Sequence, residues 1–141
     1  MKPWLCAAGV KLREQINECY PDRDKRSDGW IGDSRHAATK SDHNPDGKTG
    51  VVRAIDIDSD LGAQKNLPHY LADQLRTAAK SGDNRIAYII FNKKIASPIL
   101  NWKWRNYKGI DPHTSHLHIS FTKAGDKNGL RFNVPVLENE L

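Results

Sequence analysis

From Leu5 the apolar positions recur at Ala8, Leu12, Ile16 and Cys19, the three-and-four spacing that lines one face of a helix. Pro3 suits its first turn and Pro21 ends it. The periodicity then stops. Residues 21–50, "PDRDKRSDGWIGDSRHAATKSDHNPDGKTG", are dominated by Gly, Asp, Ser, Asn and Pro and read as a long structured loop, pinned by Trp30 and Ile31 near its middle. Alternation begins at "VVRAIDID" (51–58), a strand with Val51, Arg53, Ile55 and Ile57 on one side and Val52, Ala54, Asp56 and Asp58 on the other. Leu67, Leu71, Leu75 and Ala78 mark a second amphipathic helix, with Pro68 in its first turn and Gly82 closing it. "RIAYIIFN" (85–92) is an apolar strand and "KKIASPI" its hairpin partner. "SHLHISF" (115–121) is a further strand, and "FNVPVL" a short edge piece in a polar tail. The pattern alone leaves the aromatic segment "ILNWKWRNY" unassigned. Helix, strand, helix and then several strands without intervening helices predicts an α+β fold, a central antiparallel sheet with helices packed on one face.

Composition adds limits. A chain of 141 residues suits one domain with a real core, and no apolar run approaches the roughly 20 residues that span a bilayer. The N-terminal apolar run meets Lys11 and Arg13 too early for a signal peptide, so the expectation is synthesis in the cytoplasm without an export signal. Cys6 and Cys19 lack the spacing of a thiolate metal site and are too few for a disulfide framework; on the first helical face they read as buried free thiols. The net charge of +5 favours polyanionic partners such as nucleic acid, anionic membrane or anionic wall polymer. The positive residues are scattered, as on an ordinary solvated surface.

The chemistry concentrates in "DPHTSHLHISF", where three of the six histidines, His113, His116 and His118, lie within six positions. Protonated imidazoles so close would repel, unless a bound cation keeps some of them neutral. On the strand, His116, His118 and Ser120 share one face, and Leu117, Ile119 and Phe121 face the core. Further ligand candidates lie in "SDHNPDGKTGVVRAIDID": His43 in the loop, and Asp56, a carboxylate among isoleucines that is costly unless a charged partner or a metal compensates it. Asp58 reads as leaving the sheet. Two histidines, one carboxylate and water form a common catalytic zinc site, which also needs a nearby base that is not a ligand. Arg35 and His36 are candidates for binding a substrate carboxylate, or plain surface residues. Trp102, Trp104 and Tyr107 wall a groove or pack in the core, and His69 reads as exposed and without a role.

These motifs carry a resemblance. "SDH" followed by "GVVRAID" resembles the SxHx(n)AxD motif of the lysostaphin/D-Ala-D-Ala/hedgehog metallopeptidases, and "HLH" their final HxH. "HTSHLH" resembles the HxxHxH arrangement of penicillin-insensitive murein endopeptidase. The runs "RDKRSDGWIGDSRHAATKSDHNPDGKTGVVRAIDI", "RIAYIIFNKKI", "WKWRNY" and "PHTSHLHIS" are similar to the peptidase domain of actinobacteriophage endolysins, akin to D-alanyl-D-alanine carboxypeptidases. The resemblance implies that His43, Asp56 and His118 hold Zn2+, and that His116 stands beside the metal and bonds substrate or the tetrahedral intermediate. It implies that His113 is the base, with Asp111 in reserve, and that Ser41 lies by the substrate. The gap from His43 to Asp56, with the insertion "NPDGKT", is longer than in most relatives.

The implied function is a zinc peptidase, phage endolysin-like, that cuts next to a D-amino acid in peptidoglycan. It would be a monomeric catalytic domain over residues 1–141 with no separate wall-binding domain, no nucleic acid partner and no membrane insertion. It would act on the cell wall after release from the cytoplasm. The competing expectations are a metal-dependent nuclease and a non-catalytic, zinc-containing wall-binding module.

Overall fold

A computed structural model describes residues 2–32, 41–109 and 111–138. Strands β3 (Ala54–Asp58), β4 (Ile86–Phe91), β5 (Lys94–Ala96), β6 (Arg105–Asn106) and β7 (His116–Phe121) form a five-stranded sheet in the order β3-β7-β4-β5-β6. Every pairing in it is antiparallel. Helices α1 (Ala7–Cys19) and α2 (Leu67–Lys80) pack on one face of this sheet, and the fold is α+β as the pattern predicts. Leu12 and Ile16 of α1 and Leu71 and Leu75 of α2 belong to one buried cluster with Ile55, Ile57, Ile89, Leu117 and Ile119, all essentially without solvent contact. The period-two alternation of β3 and β7 therefore sends one set of side chains into this core and leaves Asp56, His116, His118 and Ser120 on the opposite face.

Several elements depart from the sequence pattern. Leu5 does not open the first helix. With Trp4 it forms β1, which pairs in parallel with β2 (Val51–Val52), and α1 begins after Cys6. Pro3 thus precedes a strand, and the run 51–58 is divided at Arg53 between two sheets. Arg53 is held there by a bidentate bond to Asp126, 2.7 Å from each carboxylate oxygen. Pro68 does sit in the first turn of α2, and Gly82, at φ 121°, follows its C-terminal residues. "FNVPVL" is not an edge strand. Pro135–Leu137 is a turn of 3-10 helix, and Phe132, Val134 and Leu137 are core residues. Proline removes a ladder donor, and the segment's polar groups go to side chains instead: Gln15 exchanges two hydrogen bonds with the Phe132 backbone, and Gln74 accepts from Val136 N–H. Cys6 is buried and free as expected, whereas Cys19 is only half-buried. In the unassigned aromatic segment, Arg105–Asn106 pairs with β5.

The loop after α1 runs along the outer edge of β3. Gly29 exchanges both backbone hydrogen bonds with Asp56, which covers an otherwise open sheet edge. Trp30 packs against the core, while Ile31, expected to help pin the loop, is exposed. At the other end of the sheet, Asn92 and Lys93 both take positive φ and close the β4–β5 hairpin in two residues, the backbone pattern of a type I′ turn. Their amides donate to the carbonyls of His113 and Pro112, so the hairpin tip holds the segment leading into β7.

Candidate metal centre

Asp56 on β3 and His118 on β7 are directly paired across the sheet, so adjacent strands deliver a carboxylate and an imidazole to one spot. The loop supplies the third group. Asp46 accepts the amides of Lys48 and Thr49, and its second oxygen meets Arg53, folding "NPDGKT" back on itself. The insertion is therefore a closed turn, and it returns His43 to the sheet. His43 Nε2 lies 3.2 Å from Asp56 Oδ2 and 3.2 Å from His118 Nδ1, and His118 Nδ1 lies 3.1 Å from Asp56 Oδ1.

The outer hydrogen bonds decide where the protons are. His43 Nδ1 meets the Trp30 carbonyl at 2.9 Å. A carbonyl only accepts, so Nδ1 carries the hydrogen and Nε2 turns its lone pair toward Asp56. For His118 the chain is longer. Asp42, a carboxylate, accepts from the Ser120 hydroxyl at 2.8 Å, and Ser120 Oγ stands 2.7 Å from His118 Nε2. The serine proton is committed to Asp42, so its oxygen accepts from His118 Nε2–H, and Nδ1 is left to face the centre. Three acceptors thus converge in a mostly buried space, and a cation must lie among them, either a proton or a metal ion. Ligands about 2.0–2.1 Å from a tetrahedral ion stand about 3.3 Å apart, close to the separations found. His43, Asp56 and His118 are positioned to bind a metal ion.

The electrostatics agree. Burial alone would raise the Asp56 carboxyl, but its hydrogen bonding and charge interactions with His118 and His43 hold it well below the usual carboxylate range, as a cation shared among the three groups would. Burial works against charge on His43; its hydrogen bond and charge interaction with Asp56, with the Trp30 carbonyl and Asp42 behind them, nevertheless raise it above the ordinary histidine value. Tyr88, on β4, stacks on His118 at 5.5 Å between centroids and donates to Asp42 at 2.7 Å. Burial, opposed by a hydrogen bond to Ser120 but joined by the Asp42 carboxylate, pushes its phenol up, so it remains a donor.

A second group, Asp111, His113 and His116, adjoins the triad. His116 Nε2 is 3.7 Å from Asp56 Oδ1 and 3.8 Å from Asp111 Oδ2. His113 packs edge-on against His116 and His118, with centroids 4.9 and 5.6 Å away, and against Tyr107 at 5.4 Å. Its backbone has φ 54°, a left-handed conformation uncommon for a non-glycine residue. Its N–H is bonded to Asp111 Oδ1, and its buried Nδ1 has no hydrogen-bond partner among the described residues. Burial lowers its pKa, and His118 and His116 reinforce that against Asp111.

Ser41 accepts the His43 N–H and, with Asp42, Asn44, Pro45 and Tyr88, lines a cleft of about 350 Å³ beside the triad. Arg35 and His36 lie outside the described residues. Asp58 does not join the centre: it remains in β3, buried, and accepts the amides of Ser27 and Asp60. Trp102 is in the core, whereas Trp104 and the exposed His69 line a groove on the α2 side, away from the triad. Asp42, Tyr88 and the role of Ser120 escape the sequence reading. Ser120 carries a signal, two positions after His118 on the same face; Tyr88 reaches the ring only through the pairing of β4 with β7. The chain matches no protein-family model, no curated protein and no solved structure.

Proposed function

We propose that the chain is a zinc-dependent hydrolase that cuts a peptide bond next to a D-amino acid in peptidoglycan stem peptides or crosslinks. The observation that carries the reading is the convergence of three acceptor atoms, His43 Nε2, Asp56 Oδ and His118 Nδ1, at 3.1–3.2 Å, with both ring tautomers set from outside. Two imidazoles and one carboxylate are a donor set that zinc favours and that leaves room for a reacting group. The motif resemblance supplies the substrate class, and the positive charge of the chain suits an anionic wall. Zinc, when bound, supplies Lewis acidity, lowering the pKa of water and polarising a carbonyl.

The remaining work falls to the second group. His113, kept neutral by burial, accepts the proton of the attacking water and returns it to the leaving amine. His116, beside Asp56, donates toward the carbonyl oxygen as charge develops there. Ser41 and its cleft receive the peptide. Purified sacculi digested with zinc-loaded protein, with chelated protein and with His113→Ala test the reading by mass spectrometry of the released muropeptides. New amino and carboxyl ends are expected from the loaded protein alone. Intact sacculi in all three digests would leave a binding module, and cleavage of plasmid DNA in place of wall would leave a nuclease.

A further inference from the structure

The zinc reading names three ligands, two histidines and one aspartate, but the hydrogen bonds around them extend to a second acidic residue. We propose that Asp42 is a positioning residue that sets which nitrogen of His118 faces the metal, acting through the Ser120 hydroxyl, while Tyr88 clamps the ring. The inference rests on the proposed zinc site and deepens it.

The bonds from His118 through Ser120 to Asp42 run in one consistent direction. The Asp42 carboxylate accepts from both Ser120 Oγ–H and Tyr88 Oη–H on the same oxygen, at 2.8 and 2.7 Å. Ser120 has no solvent contact and a single proton, which goes to Asp42, so Oγ is an acceptor for His118 Nε2–H at 2.7 Å. His118 is itself buried, and its Nε2 hydrogen has no other acceptor among the described residues; Tyr88 lies nearly parallel to the ring, with 16° between the planes. Remove Asp42 and the serine proton can turn toward Nε2, which then accepts. The hydrogen of a neutral His118 moves to Nδ1, where it points at Asp56 and occupies the metal's place. Partners of this kind behind a metal ligand are worth about 10–100-fold in metal affinity.

The test uses the full chain and zinc ions alone. Zinc dissociation constants are measured by competition with a chromophoric chelator for the wild type, Asp42→Ala, Ser120→Ala and Tyr88→Phe. The tautomer of His118 is read at one fixed pH from the 15N shifts of its ring in the metal-free proteins. Asp42→Ala and Ser120→Ala are expected to weaken zinc about 10–100-fold and to move His118 from the Nε2–H form to a mixture. Tyr88→Phe retains the stack and is expected to change affinity less than about threefold, as one neutral hydrogen bond is lost from a doubly bonded carboxylate. Asp42 is exposed, so its variant remains informative if Ser120→Ala fails to fold. Zinc affinity within about twofold of wild type in Asp42→Ala, with His118 still Nε2–H, overturns the proposal; a merely structural Asp42 would lower the melting temperature and leave both readouts in place. If the wild type takes up no zinc, the zinc reading fails, and the tautomer measurement still decides the relay.

Discussion

Two histidine groups stand side by side on one face of the sheet, and they are built differently. In the triad, both rings are fixed from behind, His43 by the Trp30 carbonyl and His118 by Ser120. Asp56 comes from a strand whose backbone is bonded on both sides, to β7 and to Gly29. In the neighbouring group, His113 takes a left-handed backbone, its Nδ1 lacks a partner among the described residues, and the Asp111 side chain is 59% exposed. Fixed tautomers suit atoms that must keep a lone pair on an ion. A buried, neutral ring with an uncommitted nitrogen suits one that gains and loses a proton. Under the proposed function, the contrast assigns the ligand role to the first group and the proton-carrying role to the second.

The largest effect should come from the triad. His118→Ala or Asp56→Ala is expected to weaken zinc by more than about 100-fold, beyond what outer partners contribute, and to abolish wall hydrolysis. Equilibrium dialysis checks the first and muropeptide release the second. His113→Ala is expected to lower turnover by about 10²–10⁴-fold, the range for a lost general acid–base, while zinc content stays at one per chain. Loss of zinc in that variant would erase the distinction between the two groups.

The two groups should also titrate in opposite senses. His43 has a raised pKa, so in the metal-free protein its charged pair with Asp56 contributes stability that is complete below the ordinary value of 6.5. That stability is lost as pH rises through the raised value. Zinc takes the proton's place, so the increase in melting temperature on adding zinc should grow with pH across this window. His113 has a lowered pKa and stays neutral further into acid. The acid limb of the activity profile should therefore fall below pH 6.5, provided zinc is kept saturating. An acid limb above 6.5 would remove His113 as the base.

Much of this was legible in the chain. The alternation of "SHLHISF" assigns Leu117, Ile119 and Phe121 to the core and leaves three polar residues on the other face. Asp56 stands out as a carboxylate in an apolar strand, and His43 follows from the motif. What pattern cannot supply is register: Asp56 opposite His118, and Tyr88 beside it on the third strand, depend on which strands pair and where. Local periodicity also misplaced Leu5 and the C-terminal segment. Leu5 fits a helical face and a strand equally well, and Val52 offers it a backbone partner. "FNVPVL" reads as extended, but its fate is set by Gln15 on α1 and Gln74 on α2, residues distant in sequence. In the sequence His113 is set apart only by its place in the HxxHxH motif; burial and backbone conformation are what distinguish it physically.

The smallest effect sharpens the contrast within the second group. Asp111→Asn retains an oxygen for the His113 amide, so the turn at φ 54° should persist. It removes the negative charge that opposes the lowering of the His113 pKa and that faces His116 at 3.8 Å. The acid limb should then move to lower pH. Because the side chain is exposed and solvent screens it, the shift should be small, with turnover reduced less than about tenfold. A pH–rate profile of Asp111→Asn beside His113→Ala separates the two candidate bases. If the asparagine variant is inactive and the alanine variant is not, the proton is carried by the exposed carboxylate, and the buried ring serves only to shape the site.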